Sequence, residues 1–110
     1  IPAVDYINAN RVRAVAIQRW SEMMKGLDAL VTPTRAPGQL LGCNLTGAPA
    51  VILPNGFQES ETRIDDAGPS PKHRVPVSLT FIGAHFGEDR MLSVAHAYQR
   101  ATKFHLEHPT

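Results

Sequence analysis

Amide or ester chemistry at neutral pH needs a nucleophile with a base in reach, or a metal that generates one. The serines of this 110-residue chain are Ser21, Ser60, Ser70, Ser78 and Ser93, and none stands in a Gly-Ser-Ser context. The nearest serine–lysine pairing is Ser70-Pro71-Lys72. Burial is what turns a lysine into a base, and the segment around this pair is polar, so no reactive pair is expected there. Cys43 is the one cysteine. No ordered histidine partner is evident for it, and a lone cysteine reads as a small buried hydrophobe rather than a nucleophile. Five histidines raise the question of a metal. His105 and His108 flank Glu107 at a helix end, but zinc needs three or four converging ligands. His73 falls in a loop, His85 in a turn and His96 on a polar helix face, so nothing in the pattern brings them together. No metal site is expected.

The elements that would position such residues follow from periodicity. Ala9, Val12, Ala16, Trp20, Met23 and Leu27 recur at steps of three and four, which predicts an amphipathic helix over Val4 to Lys25, stopped by Gly26. Ile7, Val15, Ile17 and Met24 broaden its apolar face, so it calls for neighbours on more than one side. Leu27 to Thr32 is a short strand cut by Pro33. Thr34 to Cys43 reads as loop, because Pro37, Gly38 and Gly42 punctuate it. Asn44 to Gly47 reads as a single helical turn capped by Asn44, with Gly47 as its exit. Ala50 to Leu53 is a continuous apolar run, expected to be a strand covered on both faces and ended by Pro54. Gln58 to Arg74 is polar and expected to be a mobile loop. Val75 to Ala84 alternates, with Val77, Leu79 and Phe81 on one face and Ser78, Thr80 and Ile82 on the other. Gly87 to His105 is a second helix with the stripe Met91, Val94, Ala95, Tyr98, Ala101 and Phe104, ended by Pro109. Trp20 and Tyr98 read as core or interface anchors. The fold class is α/β, a small mixed sheet of about three strands flanked by two long helices.

Composition bounds the rest. The chain is 43% hydrophobic and 19% charged, and the low charge fits a piece that buries part of its surface against something else. A net charge of +1 with no Lys/Arg stripe argues against direct nucleic-acid binding. A single cysteine leaves no internal disulfide and fits a reducing, cytoplasmic compartment. No apolar run approaches membrane-spanning length, so no membrane partner is expected. The chain opens on Ile1 without a charged-then-apolar leader; no secretory signal is expected, and a boundary set by trimming or processing is.

Four blocks stand in a telling order. Asp28-Ala29-Leu30-Val31-Thr32-Pro33-Thr34 comes first. Asn44-Leu45-Thr46-Gly47-Ala48-Pro49-Ala50 follows and runs on to Phe57. Pro76-Val77-Ser78-Leu79-Thr80-Phe81-Ile82-Gly83 is third, and His96-Ala97-Tyr98 with Ala101, Thr102 and His105 closes the series. Together they resemble the C-terminal part of amidase signature enzymes, and the likeness covers nearly the whole chain, including the opening helix with Tyr6, Ala9, Arg11 and Arg13. The resemblance implies that residues 1–110 form one C-terminal segment of a larger amidase-type domain, with 58–74 as its polar loop. It implies a parent that hydrolyses linear amides with a Ser–cis-Ser–Lys triad and no cofactor. The paired serines and the lysine of that triad lie upstream in the family, so this chain alone is expected to be inactive.

The resemblance also makes Thr34, Leu41, Cys43, Asn44 and Thr46 candidates for a substrate-channel wall. Asn44 and Thr46 read first as residues that satisfy backbone groups. Family members often carry a longer insertion where this chain has only Arg35 to Cys43. The partners implied are the missing N-terminal part, a small amide substrate for the parent, and a second copy of the isolated chain. Two other readings stand beside this one. One is part of a tRNA-dependent amidotransferase (its glutaminase subunit), and the other is an independent assembly or binding module.

Overall fold

The computed structural model describes residues 1–60 and 72–108. The chain runs α1 (Ala3–Met23), β1 (Leu30–Pro33), α2 (Gln39–Thr46), β2 (Ala50–Ser60), β3 (His73–Ile82), α3 (Glu88–Thr102) and a short 3-10 turn at Phe104–Leu106. The α/β class and the two long helices are as the periodicity implies. Among the described residues the sheet has three strands in the order β1-β3-β2, and both pairings are antiparallel rather than mixed.

The strand β3 is central because it alternates cleanly and both of its edges find partners. Leu79 and Phe81 face α3, as the alternation predicts. Phe81, Met91 and Ala95 form the buried cluster, with Val51, Leu53, Val94 and Tyr98 packed around it. The Phe81 and Tyr98 rings meet at 5.4 Å and 52°, a tilted pair of the kind aromatic quadrupoles favour. The Tyr98 hydroxyl donates to the Asn55 side-chain carbonyl across the sheet. On the other face, Thr80 and Ile82 are the most deeply buried large side chains.

Several expectations are corrected. The strand β2 does not end at Pro54 but continues to Ser60 through a bulge between Pro54 and Phe57. Proline is tolerated there because β2 is an edge strand, whose outward backbone positions need no donor. Gly56 allows the bulge, since it takes φ +91° and the Phe104 ring closes on it, 3.4 Å from where a Cβ would stand. The Ala50–Leu53 run is not covered on both faces. Val51 and Leu53 point into the core, but Ile52 is 57% exposed. The expected loop over Gln58 to Arg74 is strand at both ends, because β2 and β3 continue as a two-stranded ribbon beyond the reach of the four-residue β1. The rest of that loop expectation falls on residues 61–71, outside the described residues, as does Pro109.

The loop expected over Thr34 to Cys43 becomes α2 from Gln39 onward. The second long helix stops at Thr102 rather than His105, because Lys103 takes a left-handed φ of 58°, and Phe104 sits in the following turn.

The largest departure concerns α1. No residue within Ala3–Met23 is buried. Its C-terminal end is tied down, with Trp20 Nε1 donating to the Gly83 carbonyl at 3.2 Å and Met24 buried just beyond the helix. Towards its start, Val4, Ile7, Val12 and Val15 lie open to solvent. The expected neighbours on more than one side are not supplied by the described residues. The whole is a slab of 51 × 40 × 15 Å. Its radius of gyration is 18.4 Å, against about 13 Å for a compact chain of this length.

Gly83 is buried where β3 leaves the sheet, and an added Cβ would lie 3.1 Å from the Met91 Cβ and 3.3 Å from the Pro49 ring. The first of these atoms is fixed to the α3 backbone and has little room to yield. Gly83→Ala should therefore cost about 1–3 kcal/mol, read as a lowered urea midpoint at unchanged slope.

Candidate functional site

The helix α2 carries four of the five channel candidates, so its anchoring decides what they can do. It is short, with eight residues that cannot hold a helix by propensity alone. Its C-terminal carbonyls must find donors. The Gly47 N–H reaches the Cys43 carbonyl at 2.8 Å, and Gly47 takes the left-handed exit that the sequence implied. The Thr46 hydroxyl donates to the Gly42 carbonyl at 2.7 Å. Arg13 of α1 donates from Nε to the Leu45 carbonyl at 2.7 Å, a cation at the negative end of a helix. His85, in the turn after β3, meets the Thr46 carbonyl at 2.8 Å through Nε2. A carbonyl only accepts, so Nε2 carries the proton. Besides its own last residues, two separate elements, α1 and the turn after β3, thus hold the end of α2.

The five candidates part ways on this frame. Thr46 is buried and, besides its bond to Gly42, accepts the Ala48 N–H at 3.4 Å. It satisfies backbone groups, as its residue type implies. Asn44 is not the cap of a helical turn. It lies inside α2 and is exposed, because the helix begins five residues earlier at Gln39, behind a left-handed Gly38. Leu41 is 71% exposed. Cys43 is half-buried with the Gln39 amide 4.0 Å from its sulfur. Thr34 stands apart, just past β1, where its hydroxyl accepts from Thr80 at 3.2 Å. The structure brings Leu41, Cys43, Asn44 and Thr46 onto one helix and leaves Thr34 on the sheet.

Sequence reasoning missed Arg13 and His85 as the clamps of α2. No local spacing signals them, since the bonds span 32 and 39 residues. Among the described residues, His85 Nδ1 and Thr32 Oγ1 are buried without a hydrogen-bond partner. A cleft of about 530 Å³ opens between the end of α1 and the β3–α3 turn, lined by Lys25, Asp28, His85, Phe86, Asp89 and Arg90 among others. None of the five candidates lines it. Among the described residues no three His, Cys, Asp or Glu side chains are grouped to hold a metal ion. No helix among them is long and apolar enough to cross a membrane.

These bonds separate the structural from the surface members of α2. Thr46→Val strands the buried Ala48 N–H and should lower stability by about 1 kcal/mol. Thr46→Ser should keep most of it, and Leu41→Ala should change it by less than about 0.5 kcal/mol. Chemical denaturation of the three variants checks the order.

No family model matches the chain, and no solved structure does. Curated proteins do match. The A subunit of glutamyl-tRNA(Gln) amidotransferase from Burkholderia mallei (strain SAVP1) is 33% identical over 94% of this chain and 23% of its own length. The protein of the same name from Legionella pneumophila (strain Corby) is 28% identical over the same shares. That of Dehalococcoides mccartyi (strain CBDB1) is 29% identical over 94% of this chain and 22% of its own length. The chain therefore spans less than a quarter of the relatives it matches. The aligned stretch of 123 residues is longer than the 110-residue chain, so the relatives hold extra residues within it. Over nearly its whole length the chain is similar to a part of these amidotransferase A subunits, in agreement with its resemblance to the C-terminal part of amidase signature enzymes.

Proposed function

We propose that the chain is the non-catalytic C-terminal part of an amidohydrolase that cleaves the carbon–nitrogen bonds of linear amides. The Ser–cis-Ser–Lys triad that does so would belong to the rest of the polypeptide. In this reading α2 and the strand ends contribute a wall of the substrate channel, and β1, β2 and β3 extend a larger sheet.

The observation that carries the reading is the amount of surface left uncovered. A compact protein of this mass exposes about 6,000 Å², whereas this chain exposes 8336 Å². The excess, roughly 2,300 Å², is well above the roughly 800 Å² that one partner contributes to a standard interface. The exposed apolar side chains include those on α1 and Ile52 on the edge strand β2. A segment cut from a larger body has this surface; a self-contained module does not. Relatives four times longer than the match support the same view.

The relatives' name, which makes them part of a glutamyl-tRNA(Gln) amidotransferase, favours one version of this reading. The parent would then be an amidotransferase component, its small amide substrate would be glutamine, and further subunits would be partners.

The uncovered faces also make a second copy the occupant available to the isolated chain, because open strand edges and apolar helix faces pair with whatever is present. The purified chain should hydrolyse no simple amide or ester, and it should sediment as a dimer or larger species. Turnover that disappears in Cys43→Ala or Ser70→Ala would show a nucleophile of its own and end the inert reading. A clean monomer at high concentration would contradict the self-association.

A further inference from the structure

The turn from Ala84 to Gly87 is closed by the Gly87 N–H on the Ala84 carbonyl at 3.0 Å. Its two central residues are His85 and Phe86, and Phe86 takes φ 59°. Left-handed backbone at the third position of a turn is the place for glycine or asparagine, since a Cβ crowds the backbone there. The neighbouring Gly87, which lacks that Cβ, sits at φ −109° and has no need of glycine's freedom on this account. The aromatic ring that occupies the strained position is 96% exposed. Within this chain, then, the strain is set against no burial of the ring.

The turn is also held from both sides. The Gly83 carbonyl takes the Trp20 indole N–H, and His85 is bonded to the Thr46 carbonyl. The ring is thus presented from a fixed platform, beside a cleft whose lining includes Lys25, Asp28, Asp89 and Arg90. A pre-organised aromatic with a charged rim has the anatomy of an interface hot spot.

We propose that Phe86 is a docking anchor that inserts into an apolar recess of the remaining part of an amidase signature polypeptide. This rests on the reading of the chain as a segment of such a protein. A second copy is the poorer fit. Phe86 is itself part of the wall of the cleft, whose lining sets the charged Lys25, Asp28, Asp89 and Arg90 among Met24, Leu27 and Ala84, so a second copy would meet the ring there with a largely charged rim, and the socket is assigned to other sequence. The relatives have that sequence in the three-quarters of their length that this chain does not match.

The test compares two settings of the same 110 residues. One is the chain alone. The other is the Burkholderia mallei relative in which the matching segment is replaced by this chain. 4-Fluorophenylalanine at position 86 reports accessibility through the relaxation of its fluorine signal by a soluble paramagnetic agent. The free chain should show strong relaxation, and the chimera should lose it. Phe86→Ser should lower the melting temperature of the chimera and leave that of the free chain unchanged. A folded chimera in which position 86 stays as accessible as in the free chain overturns the anchor but not the segment reading. A fluorine signal already sheltered in the free chain assigns the socket to a second copy and overturns the proposal. A free chain that folds while the chimera does not overturns the segment reading, and the anchor with it.

Discussion

Among the described residues, β3 and the turn that follows it tie most of the other elements together. Its two edges pair with β1 and β2, which do not touch each other in the sheet. Its Phe81 is the residue on which α3 packs through Met91 and Ala95. Its exit at Gly83 receives the α1 tryptophan, and the turn two residues later clamps the end of α2. Removing that strand would leave two edges without hydrogen bonds and a helix stripe without a floor. The core built on it is thin: among the described residues six hydrophobic ones are buried, and four of them lie in β3 or α3. A core of this size is marginal for an independent domain.

That asymmetry explains what was legible in the sequence. The alternation of Val77, Leu79 and Phe81 and the stripe from Met91 to Tyr98 give their elements and their mutual face correctly, because the residues that make the pattern also make the contact. Local patterns fail where a longer-range fact decides. Pro54 reads as a stop, yet β2 passes through it because it is an edge. Asn44 reads as a cap, yet it lies inside α2, which begins at Gln39 behind the left-handed Gly38 and is held at its other end by Arg13 and His85, far off in the chain. The apolar residues of α1 read as a face that wants neighbours. The described residues cover only its last turns, so most of that face is left exposed.

The candidate channel residues rest on the resemblance alone. Nothing in the local sequence around Leu41 or Thr34 distinguishes a channel wall from ordinary surface. The structure adds that Leu41 is exposed on a firmly held helix, whereas Thr46 is occupied in holding it. A wall residue needs both qualities, a free side chain and a fixed backbone. On α2 the exposed Leu41 and Asn44 have them, and Thr46 supplies the second to its neighbours.

The central proposal is that the apolar side of α1 and the outer edge of β2 are surfaces for the rest of an amidase body. Amide hydrogen exchange on the isolated chain, held monomeric by dilution, tests it most directly. The account predicts that amides 79–82 of β3 exchange from the globally unfolded state, while those of the first turns of α1 exchange orders of magnitude faster through local fraying. Protection of the first turns of α1 equal to that of β3 would mean that the chain covers this helix itself, and would contradict the account.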